Sequence, residues 1–251
     1  MKSETRVAGG GGRVAREETG ATDSQPRLAG VIFDFNGVLF WDNPLHEEAW
    51  RQYSARLRGR PLSDREMAEQ VHGRVNRDIF TYVLGAPPAD DHLARLIADK
   101  ETIYRRLCLE AGAAFRLSPG AVELLDFLAD QAIPRAIATS SPLVNVSFYV
   151  EHLGLGRWFP PPWLIYDRGH YPGKPAPHIY LEAAGALGLP PSACIVVEDS
   201  LAGIAAARAA GIGRIVALGP AERHAELAAL PGVDEVIADL SRFPRQLLAT
   251  A

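Results

Sequence analysis

Short β-rich runs recur along this chain, helical stretches separate them, and one connection after the first run is far too long for a simple crossover. These three observations predict an α/β fold: a Rossmann-like, doubly wound parallel sheet carrying an inserted α-helical domain. The runs are apolar on both faces, as in strands buried from both sides. The long connection lies between Phe40 and Pro119 and reads as helix throughout.

The elements follow in order. Residues 1–28, "MKSETRVAGGGGRVAREETGATDSQPRL", are rich in Gly, Ser, Thr and charge. They have neither apolar periodicity nor the apolar stretch of a secretory signal, so they are expected to be a disordered tail. "AGVIFDF" (29–35) is the first strand. Asn36-Gly37 follows it between apolar residues, which taken alone is a hairpin signal, because both residues tolerate positive φ. Helices are then expected over "NPLHEEAWRQYSARLRG", "SDREMAEQV", "NRDIFTYVLG" and "ADDHLARLIADKETIYRRLCLEAG", with no strand between them. Residues 43–117 are therefore expected to be an inserted helical domain, and 29–42 with 118–251 the core. Core helices are expected at 120–132, 176–188 and 200–211, and strands at 134–140, 162–167, 193–199, 213–218 and 234–240.

Composition narrows the function. The chain has 251 residues, 47% of them hydrophobic, and a formal net charge of −4. That balance predicts no nucleic-acid partner and no electrostatic hold on a membrane. Two distant cysteines, Cys108 and Cys194, make no metal spacing and no disulfide framework, which fits a reducing cytoplasm. A monomer or weak dimer is expected.

Chemistry collects at the carboxyl ends of the expected strands, where doubly wound sheets bind ligands. The first strand ends in Asp34. The second ends in Thr139, Ser140 and Ser141 before Pro142. Lys174 lies in "GKPAP" beyond the third, and the fourth ends in Glu198-Asp199 before Ser200. Each has an ordinary explanation as a cap or a solvated side chain. Together they suit phosphoryl transfer. A carboxylate can attack phosphorus, paired acids offer Mg²⁺ its hard oxygen ligands, and a lysine neutralises phosphate charge. Thr139 can bond a phosphate oxygen, and Ser140 or Ser141 before Pro142 reads as a helix cap whose N–H groups face the same anion. Lys174 is one of only three lysines, with Lys2 and Lys100, in a chain that otherwise uses arginine.

"FDFNGVL", "IATSS", "GKPAP" and "VVEDSLAGIAAARAAG" closely resemble the four motifs of the haloacid dehalogenase superfamily, and the helical insert resembles its α-helical cap subclass, which includes β-phosphoglucomutase and many sugar-phosphate phosphatases. The resemblance covers roughly residues 29 to 220. It implies Asp34 as nucleophile, Thr139, Ser140 and Lys174 around the phosphate, and Mg²⁺ held by Asp34, the main-chain carbonyl of Asn36 and Asp199, with Glu198 at or beside it. "PLHEEAW" is similar to the first cap helix of that subclass, which marks His46 and Trp50. "HGRVNRD" (72–78) resembles its substrate loop, which marks Arg74, Asn76 and Arg77.

One departure matters. The family's pattern has aspartate where this chain has Asn36, and that aspartate protonates the leaving group and then activates water. An amide does neither, and losing such a group costs about 10²–10⁴ in rate. The expected function is Mg²⁺-dependent hydrolysis of a small phosphorylated metabolite, sugar-phosphate-like, through an aspartyl-phosphate on Asp34. A sugar phosphomutase is the second reading, and a weakly catalytic or non-catalytic binder of a phosphorylated ligand is the third. The cap's size and its place beside the cleft suggest a lid.

Overall fold

The structure, a computed structural model, describes Met1, residues 28–71, Arg74 and residues 76–248. Residues 2–27, where the tail is expected, lie outside the described residues. Six parallel strands form one sheet: β1 (Gly30–Phe33), β2 (Arg135–Pro142), β3 (Leu164–Asp167), β4 (Cys194–Glu198), β5 (Arg214–Leu218) and β6 (Glu235–Ile237). Their order is β3-β2-β1-β4-β5-β6. β1 is thus central, paired with β2 on one side and β4 on the other. Asn36-Gly37 consequently turns the chain out of a central parallel strand and makes no hairpin. Leu28, assigned above to the tail, is buried and bridges in parallel to Leu248, because its side chain completes the core beside β1.

Alternation along β1 separates two apolar layers. Val31 and Phe33 face a layer built with α5 (Ala121–Asp130) and α6 (Leu143–Leu153). Ile32 faces a second layer built with α7 (His178–Ala186) and α8 (Leu201–Ala209). The last helix is α9 (His224–Ala228). α9 is absent from the helices expected from sequence, and of α6 only a start at Ser140 or Ser141 is expected. β2 also runs further than expected, to Pro142, with a register shift between Thr139 and Pro142. Pro142 has an extended φ/ψ of −72°/159° and no side chain that can cap, so α6 begins only at Leu143 and neither Ser140 nor Ser141 caps it.

The insert contains α1 (Asn43–Arg58), α2 (Asp64–Gln70), α3 (Asn76–Leu84) and α4 (Asp90–Glu110). Ser63 and Glu66 start α2 with a reciprocal capping box, and Gly59 ends α1 at φ +77°. Trp50, Tyr53, Phe80, Leu93 and Leu96 give the cap its own apolar centre, which is continuous with the α5–α6 layer. Among the described residues no helix is long and apolar enough to cross a membrane.

Two glycines make room for the sheet's polar edge. A Cβ on Gly37, at φ +82°, would collide with the Asp199 carboxylate, and one on Gly203 would fall on the Glu198 carboxylate. Gly185, inside α7, meets nothing within 4 Å. Gly203→Ala is therefore expected to destabilise the protein by at least about 2 kcal/mol, the cost of displacing a buried, hydrogen-bonded group. Gly185→Ala should stabilise it by about 0.5–1 kcal/mol through helix propensity. Thermal unfolding of both variants checks the pair.

Candidate active site

Adjacent strands β2, β1 and β4 bring three motifs to one edge. Asp34 follows β1, its N–H held by the Val197 carbonyl at 3.0 Å. Lys174, from the β3–α7 connection, reaches between strands: its Nζ is 2.8 Å from Asp34 Oδ1 and 2.6 Å from Glu198 Oε1. Glu198 is wholly buried. Its Oε1 also accepts from the Tyr180 hydroxyl at 3.0 Å, and its Oε2 from Ser200 N at 2.7 Å and Ser200 Oγ at 3.1 Å. Both Glu198 oxygens are therefore occupied, and the residue anchors Lys174. Ser200 in turn caps α8 by accepting from Gly203 N.

Asp34, Glu198 and Asp199 each place an oxygen within 4.8 Å of the others, and all three are buried or nearly so. One ammonium faces three carboxylates. Burial, opposed by Lys174 and reinforced by Glu198, pushes the Asp34 carboxyl up to about 7. Burial, with the charges of Glu198 and Asp34, raises Asp199 well above the usual range. Burial works against the Lys174 proton, yet Asp34 and Glu198 outweigh it and hold the ammonium firmly charged. A site of this kind lacks positive charge, and its hard oxygen donors suit Mg²⁺. The cluster of Asp34, Glu198 and Asp199 could hold that ion, with Glu198 already bonded to Lys174, Tyr180 and Ser200.

The Asn36 side chain is saturated. Its Nδ2 donates to Asp42 Oδ2 at 2.6 Å and to the Tyr149 hydroxyl at 3.1 Å. Its Oδ1 accepts from Ser141 Oγ at 2.8 Å and Thr139 Oγ1 at 3.3 Å. Asp42 can only accept, which fixes the orientation of the amide. Thr139 is buried at the end of β2, and Ser141 N donates to its hydroxyl at 3.1 Å. Ser140, named above for the phosphate, is exposed; the alternation of β2 turns Ser141 inward instead.

The cap residues distribute differently. His46 stacks on Tyr104 with ring centroids 3.8 Å apart. Its Nε2 is 3.3 Å from Asp42 Oδ2 and its Nδ1 is 3.3 Å from Lys100 Nζ. Both ring nitrogens are thus engaged. Trp50 is buried in the cap's apolar centre, against Phe80, with the Lys100 ammonium 5.2 Å from its ring. Arg77 pairs with Asp90 inside the cap, and Arg74 is exposed with its guanidinium 3.5 Å from the Glu69 carbonyl. Asn76 opens α3 half-buried. His72, Gly73 and Val75 of the same loop lie outside the described residues.

Sequence reading missed the groups behind these. Lys100 and Glu101 are buried and paired at 2.6 Å, and Glu101 accepts from Asn145 of α6 at 2.7 Å. Tyr104 donates to Asp42 and accepts from Tyr149. Burial would raise the Asp42 carboxyl, but His46, Tyr104 and Asn36 outweigh it and hold it below its ordinary value. The available signal was the pair of buried-helix charges Lys100-Glu101, in a chain with three lysines.

A family model described as haloacid dehalogenase-like hydrolase matches residues 28–211. The chain is 31% identical over 192 residues to the phosphorylated carbohydrates phosphatase of Thermotoga maritima, covering 75% of this chain and 84% of that protein. It is 32% identical over 197 residues to hexitol phosphatase A of Escherichia coli, covering 78% and 86% respectively. Among solved structures, a HAD hydrolase of family IA, variant 3, from Entamoeba histolytica superposes with a TM-score of 0.82 at 33% identity, over 87% of this chain and 96% of its own.

The crowded carboxylates set a pH dependence. Asp34 titrates near 7 in the fold and near 3.8 in an unfolded chain, so its ionisation opposes folding. The penalty is absent below the unfolded value, grows between the two values, and is complete above about 7. Metal-free Asp34→Asn should therefore melt above metal-free wild type at pH 7.5, by at least about 1 kcal/mol or 2–4 °C, and the gap should close toward pH 4. Adding Mg²⁺ should raise the wild-type melting temperature more than that of the variant.

Proposed function

The chain belongs to the haloacid dehalogenase-like hydrolases, and on that footing we propose that it hydrolyses a small phosphate ester, of the phosphorylated sugar or polyol class, through an aspartyl-phosphate on Asp34. The names of the phosphatase relatives support the substrate class. The observation that carries the chemistry is Lys174, which bonds Asp34 and Glu198 at once and fixes the nucleophile at the edge shared by β1 and β4.

Lys174 occupies Asp34 Oδ1, leaving Oδ2 to attack phosphorus. The P–O bond to the leaving group breaks as the Asp34–phosphorus bond forms. Water then attacks the same phosphorus, inorganic phosphate departs, and the Asp34 carboxylate returns. The Lys174 ammonium neutralises charge on the transferred group, and Thr139 is the candidate to bond a phosphate oxygen, in exchange for its 3.3 Å bond to Asn36 Oδ1. Mg²⁺, held by Asp34, Asp199 and the Asn36 carbonyl, supplies charge neutralisation when bound.

With an amide at 36, proton supply to the leaving group is weak. His46, a candidate to replace it by family analogy, has both nitrogens committed to Asp42 and Lys100. Rates should therefore depend steeply on the leaving group. Acetyl phosphate and p-nitrophenyl phosphate should turn over about 10²-fold or more faster than hexitol or sugar phosphates, since a missing general acid costs that much.

A phosphate-release assay with Mg²⁺ tests the reading. Lys174→Ala should lower kcat by about 10²–10³, as loss of a charge-stabilising donor does. Asp34→Asn should reduce release to background and abolish the covalent phosphoenzyme. Asp199→Asn should weaken Mg²⁺ binding measured by calorimetry; equal affinity in the variant and wild type would remove Asp199 from the metal site. Glucose 1-phosphate assayed for glucose 6-phosphate separates hydrolysis from mutase activity, and absence of phosphoenzyme with every ester would leave a binding protein.

A further inference from the structure

Asp42 stands where a helix cap is expected and does not cap. It precedes α1 at the N-cap position, with φ −113° and ψ 5°, and its side chain accepts no N–H of that helix. Aspartate at such a position ordinarily takes the N–H of the second or third helical residue. Here the wholly buried carboxylate turns toward the site loop instead.

Its hydrogen bonds are unusually one-sided. Two hydrogen bonds converge on Oδ2, from Asn36 Nδ2 and the Tyr104 hydroxyl, and His46 Nε2 lies 3.3 Å from the same oxygen. Among the described residues, buried Oδ1 has no partner. Donor groups crowded onto one carboxylate oxygen suit an anion.

The protons run one way. Asn36 Nδ2 donates to Tyr149, Tyr149 donates to Tyr104, and Tyr104 donates to Asp42. Asn36 also donates to Asp42 directly, which closes a ring of four side chains. A ring directed this way needs one pure acceptor, and Asp42 is its only anion. On the other side of Asn36, the hydroxyls of Ser141 and Thr139 point at Oδ1. The ring thus reaches from the cap, through Tyr104 of α4, to the core, through Tyr149 of α6, and grips the residue two positions after Asp34.

We propose that Asn36 and Asp42 act as one unit sharing a single negative charge, and that Asp42 is thereby the positioning residue of the Asn36 loop for phosphoryl transfer. The part concerning phosphoryl transfer rests on the reading of Asp34 given above. The unit can hold its charge at either end. With the two side chains exchanged, a carboxylate at 36 and an amide at 42, the ring runs in reverse. The amide at 42 then donates to the carboxylate at 36 and to Tyr104, Tyr104 donates to Tyr149, and Tyr149 donates to the carboxylate. His46 Nε2, which lies against the same atom of residue 42, loses its acceptor in this arrangement, whereas Ser141 and Thr139 still donate to position 36. Each single exchange breaks this order. Asn36→Asp sets two carboxylates at a separation of 2.6 Å in a buried site, and Asp42→Asn leaves the ring with no anion.

Four proteins test this: wild type, Asn36→Asp, Asp42→Asn and the double variant Asn36→Asp/Asp42→Asn. Two readouts are taken, the melting temperature without metal and the rate of phosphoenzyme formation from acetyl phosphate with Mg²⁺. Acetyl phosphate needs no protonated leaving group, so an acid restored at 36 cannot imitate recovery. Each single variant should melt several degrees lower and lose about tenfold in phosphorylation rate, carried by kcat more than KM. The double variant should recover most of both losses, as coupled neighbours do.

Additive losses in the double variant would overturn the proposal, as would an Asp42→Asn protein that melts and phosphorylates like wild type. If Asn36→Asp fails to fold, recovery of folding in the double variant supports the unit, and failure of both beside an intact Asp42→Asn overturns it. If wild type itself forms no phosphoenzyme, the reading of Asp34 has failed. The pair is then judged by the melting cycle and by calorimetric Mg²⁺ titration of the same four proteins, where additivity again overturns it.

Discussion

The ammonium of Lys174 is the constraint on which the rest of the site depends. Two carboxylates, Asp34 and Glu198, are buried side by side at the ends of β1 and β4, and Lys174 is the cation that meets both. Charges out of water persist only when paired and hydrogen-bonded. Much of the surrounding sequence serves that pairing. Tyr180 and Ser200 occupy the remaining capacity of Glu198, and Gly203 withholds a Cβ where its carboxylate lies. The excess acid left over, with Asp199 pressed against Gly37, is what gives the edge its demand for a further cation.

The six strands were legible because each is a short apolar run, buried throughout in β1 and β4 and only partly at the edges in β3 and β6, and the carboxyl ends identified the acids and Thr139. Strand ends were less legible. Thr139-Ser140-Ser141-Pro142 looks like a helix start, yet the chain stays extended to Pro142, and this decides that Ser141 and not Ser140 faces inward. Trp50 was noticed for a family motif, whereas its burial against Phe80 accounts for it as packing. The Asp42 network was not legible. Its members lie in α1, α4, α6 and the loop after β1, and only the tertiary fold brings Tyr104 and Tyr149 to a residue at 36.

That network also qualifies the picture of the cap as a free lid. Glu101 and Arg105 of α4 share Asn145 of α6 between them, at 2.7 and 2.8 Å. Tyr104 joins Tyr149 in the same seam, and the apolar centre of the cap runs on into the core layer beneath. Buried polar contacts of this kind hold register only when every member is satisfied. The seam therefore ties α4 to α6 across the junction of insert and core.

The turn at Asn36-Gly37 has a chemical consequence over time. Asn-Gly is the dipeptide most prone to lose its amide, because the glycine nitrogen can fold back onto the asparagine carbonyl carbon and close a five-membered ring. Here the nitrogen is spent on the Phe40 carbonyl at 2.7 Å, and the amide is tied at both ends to Asp42, Tyr149, Ser141 and Thr139. The native fold thus shields its own weakest bond from ageing. An unfolded chain has no such shield and would gradually acquire a mixture of isoaspartate and aspartate at position 36, so the history of a molecule, and not its gene alone, decides which residue it carries there.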